Sequence, residues 1–187
     1  VKIMQVVKAD AYGHGAIEIS NAALENGASC LGVANADEGV QLRVSGITAP
    51  IVILSPATGS EIDQIIKYTL IPSVSETGFA RELQKRAKLA GIRAPIHVEV
   101  DTGMGRGGTM QEEACRVIGE IAGLPNLCLE GIFTHFAESE IPSYYNDRQW
   151  RSFQEILEAL AGRGIPIPLR HIANSGAILN YPQYCLD

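Results

Sequence analysis

Four short stretches of this 187-residue chain place a reactive side chain directly after an apolar run. In Val6-Val7-Lys8-Ala9-Asp10-Ala11-Tyr12-Gly13-His14-Gly15 the run ends in one lysine and breaks into a glycine-punctuated turn. Ile3 to Val7 reads as a buried parallel strand, which has no solvated face on which an ammonium could rest, so Lys8 is delivered into a cleft. Partial dehydration lowers a lysine's proton affinity, and a neutral amine can attack an aldehyde to form an imine. The plainer alternative is a strand-end lysine that snorkels into solvent. Gly13 and Gly15 suit backbone that passes close to a ligand or takes positive φ.

The second stretch, Val98 to Gly108, runs from a strand into Asp101-Thr102-Gly103-Met104-Gly105-Arg106-Gly107-Gly108. It has neither G-K-[ST] nor a G-x-G-x-x-G closing onto a helix, so a nucleotide loop is disfavoured. Glycines around Arg106 let its guanidinium reach inward to an anionic oxygen such as a phenolate, or leave it exposed on a mobile loop. Glu99 supplies a carboxylate that is expected to pair with Arg106, because a buried guanidinium without a counter-charge is costly. In the third stretch, Glu130 to Ala137, His135 stands at a strand end between aromatics, with no second ligand at metal spacing. In the fourth, His171-Ile172-Ala173-Asn174-Ser175-Gly176, Asn174 and Ser175 are favoured helix N-caps, whose free amides attract phosphate when a ligand is there. His14 and His97 read as structural, and His171 as a supporting residue.

Taken together, V-V-K-A-D-A-Y-G-H-G, D-T-G-M-G-R and H-x-A-N-S resemble the signatures of the alanine racemase family. The resemblance implies an (β/α)8 TIM-type barrel of the pyridoxal 5'-phosphate (PLP) fold type III class, with Lys8 carrying the cofactor covalently and acting as the D-specific base. It further implies that Tyr12 and Ser175 bind the cofactor phosphate with Asn174 nearby, that Arg106 donates to the phenolic oxygen, and that His135 lies beside the ring. Many family members have a carbamylated lysine where this chain has Glu99, which provides the anion directly. The implied activity is interconversion of L- and D-alanine, supplying D-alanine for the cell wall, in a cytoplasmic homodimer. Two other readings remain: a racemase of another amino acid such as serine, and a non-catalytic single-domain PLP barrel.

The elements that would position these residues alternate regularly. Strands are expected at Ile3–Val7, Ser29–Ala34, Ile51–Leu54, Leu70–Val74, Ile96–Val100, Leu127–Phe133 and Leu169–Ala173. Helices are expected at Ala16–Asn26, Glu38–Val44, Ile62–Tyr68, Phe79–Ala90, Glu112–Ala122 and Asn146–Gly162, the last with a core stripe of Trp150, Phe153, Ile156, Leu157 and Leu160. Seven strands alternating with helices indicate a parallel α/β fold. The clusters follow strands spread along the whole chain, which favours a barrel mouth over a single switch point. The chain is expected to be a barrel domain cut at both ends and lacking a C-terminal β domain that holds the second base and further cofactor ligands. Isolated, it is expected to have little or no racemase activity.

Composition agrees with one domain. Close to half the residues are hydrophobic, and the net charge of −6 is spread along the chain, which disfavours nucleic acid as a partner. No apolar run is long enough to span a bilayer. Cys30, Cys115, Cys128 and Cys185 are scattered without metal or disulfide spacing, and read as reduced thiols.

Overall fold

The computed structural model describes residues 1–187. Seven parallel strands lie side by side in chain order: β1 (Met4–Val6), β2 (Cys30–Val33), β3 (Ile51–Pro56), β4 (Ile71–Val74), β5 (Ala94–Asp101), β7 (Leu127–Phe133) and β8 (Leu169–His171). A two-residue strand, β6 (Thr109–Met110), pairs with β5 alone. Because the order never reverses, the sheet has no switch point. It curls into an incomplete (β/α)8 barrel, as the spacing of the motifs predicts.

Each long return passes through a helix on the outside: α2 (Ala16–Glu25), α3 (Ala36–Val44), α4 (Ile62–Lys67), α5 (Thr77–Leu89), α6 (Gln111–Ala122) and α7 (Tyr144–Gly162), with a short α8 (Ser175–Asn180) after β8. Strand side chains alternate between faces. Ile96, Val98 and Val100 of β5 join Leu31, Ile53, Leu83, Ile118 and Phe153 in one outer core shared with the helices. Burial of each such aliphatic side chain contributes roughly 1.5–3 kcal/mol. His97 and Glu99, on the alternate positions of β5, are therefore turned into the barrel.

Three details differ from the sequence reading. β1 is an edge strand that pairs only with β2, so Met4 to Val6 are half-buried and Ile3 is exposed; only Val7, the residue before the lysine, is fully enclosed. Pro72 lies inside β4 opposite Ile53, and the β3–β4 register slips just beyond it, where a ladder donor is missing. On α7 the stripe of Phe153, Ile156 and Leu160 is buried as expected, but two polar residues on the same helix, Asn146 and Gln149, are fully buried too.

Candidate active site

In a parallel sheet all C-terminal strand ends lie at one rim, and all four chemical motifs start there. Lys8 opens α1 (Lys8–Gly13), whose residues Ala9, Asp10, Ala11 and Tyr12 all have left-handed backbone, with φ between 50° and 56°. This is a left-handed turn built from residues with side chains, where an ordinary glycine loop was expected. Such a conformation costs about 1–2 kcal/mol per residue, so something must hold it. Asp10 Oδ1 accepts the Ala16 N–H at 2.7 Å and the Asp10 carbonyl accepts the Gly15 N–H at 3.0 Å. The Ala9 N–H donates to Glu38 Oε1 at 2.9 Å. Gly13 and Gly15, at φ +88° and +90°, let the chain leave the turn. Tyr12 is exposed on it.

The loop after β5 is built differently. Asp101 Oδ1 accepts the N–H groups of Gly103 and Gly105, and the Tyr145 hydroxyl from α7 donates to the Gly103 carbonyl at 2.6 Å. Arg106 stands exposed at the tip. The expected ion pair between Arg106 and Glu99 is not formed: neither residue takes part in any ion pair of the chain. Glu99 lies beneath the loop, so close to Gly107 that a Cβ there would sit 3.1 Å from Glu99 Oε2. Burial raises the Glu99 carboxyl to about 7, opposed by the Arg106 charge and aided by Asp101.

His135 follows β7. Its backbone is held by the buried Gln149 of α7, which donates to the His135 carbonyl at 2.9 Å and accepts the Ala137 N–H at 2.9 Å. Thr134 Oγ1 lies 2.8 Å from Thr102 Oγ1, joining this loop to the one bearing Arg106. Burial lowers the His135 imidazole's proton affinity, and the nearby charges of Arg106 and Lys8 lower it further. The charge of Glu140 opposes this shift.

Beyond β8, Asn174 caps α8: its Oδ1 accepts the Ala177 N–H at 3.0 Å and the Ser139 hydroxyl at 2.5 Å. Ser139 is fully buried in the loop that follows His135. A Cβ on Gly176 would lie 2.7 Å from Ser139 Oγ, so the two loops interlock. Ser175 is exposed beside this cap.

Inside the barrel, His97 Nδ1 and His171 Nε2 share a hydrogen bond at 2.9 Å, and His171 stacks on Phe133 with ring centroids 4.7 Å apart. Burial drives His97 down to about 4 and His171 down as well, so the pair is neutral, one ring donating and the other accepting. Gly131 leaves room for the His97 ring, which a Cβ would meet at 2.7 Å. From sequence His97 reads as structural and His171 as supporting; in the fold the two are direct partners.

Comparison with known proteins decides the family. The model of the alanine racemase N-terminal domain matches residues 1–187. The chain belongs to the alanine racemase family. It is 40% identical to an alanine racemase of Halothermothrix orenii over 188 residues, which cover all of this chain and 50% of that protein. Its fold matches the solved alanine racemase of Clostridium difficile 630 with a TM-score of 0.97 at 36% identity, over all of this chain and 52% of that one. It also matches a histidine racemase from Leuconostoc mesenteroides subsp. sake, with a TM-score of 0.90 at 26% identity, over 99% of this chain and 50% of that one. The chain spans about half the length of these relatives.

In this alanine racemase family chain the rim depends on residues that no motif singles out. Glu38, Tyr145 and Gln149 each hold the backbone of a motif loop from a distance in sequence, and Ser139 holds the side chain of the cap residue Asn174. The one available signal lay on α7, where Asn146 and Gln149 interrupt the apolar stripe near the helix start.

Proposed function

We propose that the chain is the PLP-binding barrel part of a longer alanine racemase, which interconverts L- and D-alanine in the cytoplasm, supplies D-alanine for cell-wall peptidoglycan and works as a homodimer. The observation that carries this reading is that Lys8, Arg106 and His135 follow the C-terminal ends of β1, β5 and β7, which open at one rim of a single parallel sheet. An amine, a guanidinium and an imidazole of lowered proton affinity on one rim fit an anionic aromatic aldehyde; the hydroxyls of Tyr12 and Ser175, with Asn174, would hold its phosphate.

Bound PLP supplies an electron sink that acidifies the Cα–H of an amino acid joined to it. The chain's residues supply geometry and proton transfer. Lys8 Nζ takes a proton from, or returns it to, one face of the substrate carbon, and its stem is fixed by the left-handed turn. With PLP bound, Arg106 would donate to its phenolic oxygen from the exposed loop tip, and His135, its proton affinity lowered by burial, would lie beside the ring. Glu99 supports the loop from below. Racemisation also needs a proton carrier on the opposite face, which we place outside these residues. The isolated chain should therefore bind PLP yet racemise alanine at less than about 1% of the rate of its full-length parent, since loss of an acid–base group costs on the order of 10²–10⁴. Full racemase activity in the isolated chain would refute this.

The likeness to a histidine racemase keeps a second reading in view, in which the substrate is another amino acid. A polarimetric assay of the full-length parent with alanine, serine and histidine separates the two. Alanine is expected to turn over fastest, and a faster rate with either competitor would replace this assignment.

A further inference from the structure

A half-buried carboxylate staples the Lys8 turn to the neighbouring strand. Glu38 lies in the first turn of α3, and its own N–H donates to the side chain of the N-cap Asn35 at 3.0 Å. In a reciprocal capping box the glutamate at this position reaches back to the N-cap N–H. Glu38 instead passes beyond Asn35. Its Oε2 accepts the Ala34 N–H at 2.8 Å at the end of β2, and its Oε1 accepts the Ala9 N–H at 2.9 Å in the left-handed turn. Both oxygens are thus committed outside their own helix, and one of them holds the residue next to Lys8. We propose that Glu38 is a positioning residue for Lys8, keeping the left-handed turn, and with it the lysine stem, in register with the end of β2.

The chain contains its own control. Glu61 makes the same kind of bridge one loop further round the rim: Oε1 accepts the Ala36 N–H at 3.0 Å and Oε2 the Thr58 N–H at 2.8 Å. It does not touch the Lys8 turn. The proposal rests on Lys8 being the reacting amine, so the test has two readouts. One is amide hydrogen exchange at residues 9–12; the other is the rate at which PLP followed by borohydride leaves a pyridoxyl label on Lys8. A carboxamide offers one acceptor oxygen and turns an NH2 toward the other donor. Glu38→Gln should therefore speed exchange at residues 9–12 by about tenfold or more, the equivalent of one charge-assisted hydrogen bond, and slow labelling at least ~5-fold. Glu61→Gln should speed exchange around Ala36 and Thr58 and leave labelling within about twofold of wild type, because neither of its oxygens bonds the Lys8 turn. Should E38Q not fold, Glu38→Asp, which falls one methylene short of both donors, must show the same split. Unchanged exchange at residues 9–12 in the Glu38 variant, or equal slowing of labelling by E61Q, overturns the proposal. A wild-type chain that takes no label at Lys8 defeats the cofactor reading instead, and the exchange comparison then decides the part played by Glu38.

Discussion

The turn carrying Lys8 takes four residues with side chains through left-handed backbone, whereas the loop carrying Arg106 reaches positive φ only at Gly103, Gly105 and Gly108. The first conformation is strained and must be held, which Asp10 and Glu38 do with their carboxylates. The second is open to glycine without strain; it is pinned at its base by Asp101 and Tyr145 and exposed at its tip. The difference matches the two tasks. A lysine that forms a covalent bond gains from a fixed stem, whereas an arginine that only donates hydrogen bonds can move to meet its partner.

The sharpest way to break the comparison is to exchange side chains between the two backbones. A Cβ added at Gly108 would meet the Asp101 nitrogen at 2.7 Å and the Val100 carbonyl carbon at 2.8 Å, at a φ of +101°. Gly108→Ala should destabilise the chain by roughly 3 kcal/mol, from backbone clash added to left-handed strain, as read from urea unfolding. Next in size is the group beneath the loop. The folded Glu99 carboxyl, at about 7, lies above its ordinary value of 4.5, so its contribution to stability is present below pH 4.5 and is lost as pH rises through 7. Glu99→Gln should accordingly gain stability relative to wild type as pH rises from 4.5 to 7, at up to about 1.4 kcal/mol per pH unit, and hold that gain above it. His97 has the opposite sign: lowered from 6.5 to about 4, it favours folding above pH 6.5 and loses that contribution as pH falls through 4. A parallel offset between wild type and E99Q at every pH would contradict the Glu99 account.

Smaller effects complete the test. Ala9→Gly removes a Cβ from an exposed left-handed position and should stabilise the chain by about 1 kcal/mol, a sign opposite to that at Gly108. Arg106→Ala removes an exposed side chain with no ion pair, so the melting transition should move by less than ~0.5 kcal/mol while PLP affinity falls. A stability loss above 1 kcal/mol in that variant would mean that Arg106 is held, and the contrast between the two loops would disappear.

How much of this was legible in the sequence follows from the range of the interactions involved. Each motif announced its place as an apolar run that breaks into polar residues and glycine, and this placed Lys8, Arg106, His135 and Asn174 at strand ends. The helix limits were also close, because Gly27, Gly46 and Gly91 mark the stops with positive φ. The left-handed turn gave no signal, since Ala9, Ala11 and Tyr12 are not residues that favour that backbone. The half-buried state of β1 was hidden because apolar composition does not reveal what lies beside an edge. The Glu99–Arg106 pairing failed for a local reason: Glu99 is buried on β5 against Gly107, while Arg106 stands exposed at the loop tip. Glu38 and Ser139 were invisible because their partners lie 29 and 35 residues away and carry no pattern.

The central claim is that Lys8 is the amine at the focus of this rim. Incubating the chain with PLP, reducing with borohydride and mapping the pyridoxyl group by peptide mass spectrometry tests it most directly. The account predicts an absorption band that reduction abolishes, with the label on Lys8 and none in a Lys8→Ala variant. A label spread over surface lysines such as Lys67 and Lys85, equal in wild type and K8A, would contradict it.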